Sequence, residues 1–122
     1  MQKNEITLVI GASENPERYS NRAAKNLVAR GYPVKLLGNK VGKINNDTIE
    51  VGFPDFKNIH TVTIYLNPTH QIPYYQYILD LKPKRVLFNP GAENPEFLNY
   101  LLSHNIPAED ACTLVLLSIN DY

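Results

Sequence analysis

The stretch from Thr7 to Gly38, TLVIGASENPERYSNRAAKNLVARGYPVKLLG, limits the fold more than any other part of the chain, because two short apolar runs enclose one helix. Ile6 to Ile10 is a short, β-rich apolar run closed by Gly11, which suits a strand buried on both faces and is too short for a helix. After a polar, proline-containing loop, Ala24, Leu27 and Val28 recur at helical spacing, and Gly31 supplies a left-handed stop. This predicts a helix from about Ser20 to Arg30. Val34 to Leu37 then reads as a second strand, close enough behind the helix for a right-handed β-α-β crossover. The two strands should lie parallel and adjacent.

The pattern repeats downstream. Thr61 to Tyr65 and Arg85 to Phe88 read as the third and fourth strands. Between them Ile72, Tyr75, Ile78 and Leu79 keep helical spacing, with Thr69 in the capping position. Asn94-Pro95 is a cap followed by a first-turn proline, Leu98, Leu101 and Leu102 give the next helix its apolar face, and Asn105 ends it. Ile106 to Ala108 or slightly beyond is the expected fifth strand, and Cys112 to Ser118, strand or helix by period, is read as a short terminal helix because the sheet already has its strands. Gly38 to Asn58 is polar and turn-rich, with at most a minor edge hairpin around Ile49 to Val51. The expected architecture is a Rossmann-like, doubly wound, five-stranded parallel sheet between two helix layers, an α/β/α sandwich with strand order 3-2-1-4-5 in chain numbering.

Composition narrows the function. With 122 residues, 43% of them hydrophobic, the chain reads as one domain over residues 1–122 able to bury a continuous core. Lys plus Arg and Asp plus Glu are both 12, giving zero formal net charge, so a nucleic-acid partner is not expected. There is one cysteine, and no apolar run nears the ~20 residues of a membrane span, which together suggest a cytoplasmic chain without a membrane partner.

In an open parallel sheet, ligands bind beyond the carboxyl ends of the strands, which selects Gly11 to Ser20, Gly38 to Lys43, Asn67 to His70 and Asn89 to Asn94. Gly11, Ala12 and Ser13 can bring backbone N–H groups to a phosphate at a helix N-terminus, and Ser13 and Ser20 can add hydroxyls. Arg18 can pair with a phosphate or stand as a solvated loop residue, and Ser20 can serve as a helix cap instead. A dinucleotide enzyme would carry Gly-x-Gly-x-x-Gly and an acidic residue at the end of the second strand, whereas this chain has Gly11 alone and Leu37-Gly38-Asn39-Lys40. Lys40 and Lys43 suit a ligand with an extra ribose phosphate, or are surface lysines.

VIGASENPERYSNRAAKNLVARGYPVKLLGNK together with VLFNPGAENPEFLNYLLSHNI resembles the small bacterial CoA-binding proteins, relatives of the CoA-binding domain that opens the succinyl-CoA synthetase α subunit. The resemblance is carried by Gly-Ala-Ser at 11–13, Arg18 with Ser20, Gly31-Tyr32, Asn-Pro-Gly at 89–91 with Asn94 and Glu96, and Cys112. It implies that the CoA diphosphate lies over Gly11, Ala12 and Ser13 with Arg18 and Ser20 nearby. Asn39 and Lys40 would flank the adenosine and its 3′-phosphate. Asn67, Pro68 and Thr69, with Pro90 and Gly91, would line the adenine and pantetheine side.

No catalytic residue is expected, since His60, His70 and His104 stand in no recognisable catalytic setting, and three scattered histidines with one cysteine give no metal-ligand spacing. Cys112 reads as a small packed residue rather than a nucleophile. The function that follows is CoA or acyl-CoA binding by a non-catalytic carrier, sensor or regulatory module. The alternatives are an enzyme acting on acyl-CoA or a nucleotide with a partner domain, an NAD(P)-binding protein, or a scaffold that has lost its ligand. Eight tyrosines, Tyr74, Tyr75 and Tyr77 among them, can offer a surface to a second copy or a partner enzyme, or pack against the sheet.

Overall fold

The computed structural model describes residues Met1–Tyr122. Its strands are β1 (Ile6–Ile10), β2 (Val34–Leu37), β3 (Gly42–Ile44), β4 (Asp47–Glu50), β5 (Ile59–Ile64), β6 (Arg85–Phe88) and β7 (Ala108–Asp110). Its helices are α1 (Tyr19–Ala29), α2 (Pro68–Gln71), α3 (Tyr75–Leu81), α4 (Pro95–Ser103) and α5 (Thr113–Ser118), with a 3₁₀ turn over Ile72–Tyr74 joining α2 to α3. The sheet has the order β3-β4-β2-β1-β5-β6-β7. Every neighbouring pair is parallel except β3 with β4.

The doubly wound α/β reading holds, but the expected five strands are seven, and the expected order is corrected with them. The strand beside β2 is β4, and the strand read as third, β5, lies on the other side of β1. What was expected to be a loop with a minor hairpin is a real pair of strands. The chain leaves β2 at Gly38, runs back as β3 along the sheet edge, turns through Asn45 at φ 54° and re-enters as β4 between β3 and β2. A strand that returns antiparallel can replace the helix that a parallel connection otherwise needs. The last strand begins at Ala108 rather than Ile106, because Pro107 contributes only its carbonyl, to Val86 N–H.

Strand alternation sends side chains to two cores. Leu8, Ile10, Val62, Ile64 and Phe88 pack with Ile78 of α3 and with Phe97 and Leu101 of α4. Val9, Leu36 and Leu87 face the opposite way, toward Ala24 and Leu27 of α1 and Leu117 of α5. This gives the three expected layers. The tyrosines of the α2–α3 segment are largely used within the chain: Tyr75 stacks on Phe97 with ring centroids 4.1 Å apart, and Tyr74 and Tyr77 gather around Phe53 at 5.4 and 5.5 Å.

Candidate functional site

Two crossovers part at the carboxyl ends of β1 and β5, α1 returning on one face and α3 on the other, so the loops between them form a cleft. Gly11 opens the first of these loops at φ 92°. A Cβ there would stand 2.9 Å from the carbonyl oxygen of Tyr65, so the turn requires glycine for both its backbone angle and its proximity to β5. Gly38 faces the same constraint from the other side, because a Cβ would strike the Ala12 carbonyl and lie 3.0 Å from Ile49 Cγ2. The glycines that follow β1 and β2 thus let neighbouring backbone pack in close contact.

The N–H groups of Gly11 and Ala12 both donate to the Leu37 carbonyl, at 2.9 and 3.0 Å. The loop therefore offers an anion the next two N–H groups, those of Ser13 and Glu14, which have no partner within the protein. The first-turn N–H groups of Tyr19 and Ser20 are equally free. Asn21, only 2% exposed, ties the loop to α1 by donating from Nδ2 to the Ser13 carbonyl at 2.8 Å, and its own side-chain oxygen is buried without a partner. Ser13 Oγ accepts the Asn15 N–H at 3.1 Å, a local turn that shapes the loop.

A cavity of about 230 Å³ lies against this loop, lined by Ala12, Ser13, Glu14, Asn15, Asn39 and Lys40. The structure brings Ala12, Ser13, Asn39 and Lys40 together around one cavity, and Gly11, which packs against Tyr65, is not part of its lining. Ser20 is not a cap: it is the second residue of α1 and 3% exposed, while Arg18 holds the cap position without a side-chain cap bond. Arg18 is exposed and makes no salt bridge. A larger groove of about 640 Å³ lies at the opposite, amino end of β6 and β7, between Lys82–Lys84 and Tyr100–Pro107, away from the converging loops.

The loops after β5 and β6 are set by side-chain amides, the exposed Asn67 and the buried Gln71 and Asn94. Asn67, not Thr69, caps α2: its Oδ1 accepts the His70 N–H at 3.0 Å and Pro68 takes the first helical position, leaving Thr69 exposed within the helix. Gln71, 1% exposed, donates to the carbonyls of Leu66 and Ala92 at 2.8 and 2.7 Å and accepts from Asn94 Nδ2 at 2.9 Å. Asn94 Oδ1 in turn caps α4 through the Phe97 N–H. Gly91, at φ 92°, donates its N–H to Glu93 Oε1 at 2.8 Å, and Pro90 beside it is exposed.

Asn89, directly after β6, is 1% exposed. It donates to Thr63 Oγ1 and the Ile64 carbonyl at 2.7 and 2.9 Å and accepts the Thr113 N–H at 2.9 Å, fastening α5 to β5 and β6. Next to it the Tyr65 hydroxyl is buried without a hydrogen-bond partner, and burial pushes its pKa up to about 12, so it stays a neutral phenol. Cys112 is a half-buried free thiol at the start of α5.

Glu14, Asn15 and Gly38 fall within the loop segments expected to hold a ligand, but sequence reasoning did not single them out as site residues. Gly38 carries a visible signal, a glycine ending a strand opposite another glycine turn, but Glu14 enters only through a tertiary contact with the β3 hairpin.

No helix is long and apolar enough to cross a membrane. Among solved structures, a crystal structure of an uncharacterized protein is similar at 40% identity, covering 98% of each chain with a TM-score of 0.94. A Thermus thermophilus protein shares the fold at 20% identity over 98% of this chain and 92% of its own, TM-score 0.86. A conserved hypothetical protein from Pyrococcus furiosus does so at 22% identity over 92% and 97%, TM-score 0.76. No curated protein matches the chain. Residues 5–118 match the model described as the CoA binding domain, and the chain therefore belongs to the CoA-binding domain family.

Proposed function

We propose that the chain binds CoA or an acyl-CoA at the carboxyl edge of its sheet and acts as a non-catalytic carrier, sensor or regulatory module. The observation that carries the reading is the cavity in which Ser13, with its free N–H, meets Asn39 and Lys40, in a chain of this family. In this reading the diphosphate takes the N–H groups of Ser13 and Glu14 and the open first turn of α1, Tyr19 and Ser20, while the exposed Arg18 folds onto it. Gly11 and Ala12 contribute by bringing the loop close rather than by donating. Asn39 and Lys40 hold the adenosine ribose and its 3′-phosphate. Asn67, Pro68 and Thr69, with Pro90 and Gly91, border the adenine and pantetheine side.

Thermal shift with CoA, acetyl-CoA, dephospho-CoA, NAD, NADP and ATP tests the ligand class. CoA and acetyl-CoA should raise the midpoint most, since a ligand that binds only the folded state stabilises it by mass action. Quantitative recovery of intact acetyl-CoA after prolonged incubation supports a carrier or sensor. Steady consumption of the thioester would show an enzyme instead, and a larger shift with NAD than with CoA would overturn the ligand assignment.

A further inference from the structure

We propose that Glu14 supplies the carboxylate that reads the ribose of the bound nucleotide and selects the position of its phosphate. This rests on the CoA reading above and names the group that chooses the ribose within that site. The end of β2 offers no acid, only Gly38, Asn39 and Lys40. Glu14 instead lines the same cavity from the loop after β1, as Lys40 does from the end of β2.

The position of that carboxylate is built. Glu14 Oε2 accepts the Lys43 N–H at 2.9 Å, which anchors it to the start of β3. Its side chain crosses the place where residue 42 would carry a Cβ: an added methyl would stand 2.6 Å from Glu14 Cγ and 2.7 Å from Oε1. Gly42 has no left-handed backbone angle, so what the fold uses there is the missing side chain, not the conformational freedom. With Oε2 engaged, Oε1 remains as an acceptor without a hydrogen bond in the protein.

A fixed carboxylate accepts a ribose hydroxyl strongly and repels a phosphate, and an ammonium does the reverse. Lining one cavity, the two residues favour a ribose with a free hydroxyl at one carbon and a phosphate at the next. The nucleotide of CoA has a free 2′-hydroxyl and a 3′-phosphate, whereas that of NADP carries its phosphate at the 2′ position. Glu14 therefore admits the first arrangement and rejects the second.

Calorimetry with adenosine 3′,5′-bisphosphate and adenosine 2′,5′-bisphosphate tests this on three proteins. Glu14→Gln keeps an oxygen for the Lys43 N–H but removes the charge; Gly42→Ala leaves the acid in place chemically and pushes it aside. The wild-type protein should prefer the 3′,5′ isomer by about tenfold, the size of one charge-assisted contact. Both variants should narrow the preference to about threefold or less, chiefly by gaining affinity for the 2′,5′ isomer. An unchanged preference in both, with the fold intact and CoA still bound, would make Glu14 a loop tether only and overturn the inference. So would wild-type protein that binds CoA yet shows no preference between the isomers. Wild-type protein that binds neither CoA nor either bisphosphate would overturn the CoA reading itself, and this inference with it.

Discussion

A Cβ on Gly11 would lie 2.9 Å from the carbonyl oxygen of Tyr65 and 3.2 Å from its Cβ. The same residue sits at φ 92°, where side chains are strained. Gly11 is therefore a requirement of the fold before it is one of any ligand. Gly11→Ala should cost about 1–3 kcal/mol of stability, seen as a lower thermal midpoint in the absence of ligand. Gly11→Val should cost more. A Gly11→Ala protein as stable as wild type would mean that β1 and β5 can separate without cost.

Asn89 uses both its amide atoms inside the protein, on Thr63, the Ile64 carbonyl and the Thr113 N–H. Removing it leaves the buried Thr113 N–H without a partner, at about 1–3 kcal/mol, and takes from the Ile64 carbonyl one of its donors, the Asn89 backbone N–H remaining at 3.4 Å. Asn89→Ala is expected to lower the urea midpoint markedly and to loosen α5 first. Hydrogen exchange should show faster exchange at the Thr113 amide, with β1 protected as before. Uniform loss of protection would instead place Asn89 in the global core.

Much of this architecture is legible in the residues, and the exceptions have physical causes. The Ile6–Ile10 and Val34–Leu37 runs are short and β-rich, broken only by Thr7 and the exposed Lys35, so their strands and the helix between them follow from pattern alone. Asn94-Pro95 marks the start of α4 because an amide cap and a first-turn proline are local chemistry. β4 is different: Asp47–Glu50 has a single fully apolar residue, Ile49, and becomes a strand through its pairing with β2 and β3. That missing strand is why the expected sheet order failed. At α2 the signal was present but outweighed, since Asn67-Pro68 repeats the cap and proline of α4 ahead of Thr69. In the site, the residues legible beforehand are those on the strand ends, whereas Glu14 joins them through a contact with Lys43, far along the chain.

His60 links acidity to stability away from the cleft. Burial lowers its pKa below the ordinary 6.5 despite the opposing pull of Glu5, whose carboxylate lies 2.9 Å from His60 Nε2. With the folded value below the unfolded one, the unfolded chain takes up the proton first as pH falls. The contribution is complete above about pH 6.5 and is lost as pH drops toward and through the folded value. Urea midpoints measured between pH 7.5 and 5.5 should fall for wild type and fall less for His60→Gln. Parallel curves for the two proteins would assign the effect to other groups.

In the proposed CoA site, Lys40 is the group that would hold the extra phosphate of CoA. It is exposed, stands beside Asn39 in the cavity wall, and makes no salt bridge within the protein. A partly solvated ammonium facing a phosphate gains less than a buried one, so the contact should be worth about 1 kcal/mol. CoA should accordingly bind about fivefold more tightly than dephospho-CoA at low salt. Lys40→Ala should remove most of that difference by weakening CoA while leaving dephospho-CoA nearly unchanged. Raising the salt should shrink the wild-type difference too, because an exposed pair is screened over about 10 Å at 0.1 M, and should do little to the variant. Calorimetry on both ligands at two salt concentrations measures every one of these changes. Equal affinity of wild type for CoA and dephospho-CoA would make Lys40 a surface lysine. An equal loss for both ligands in Lys40→Ala would move its contact to the diphosphate that they share.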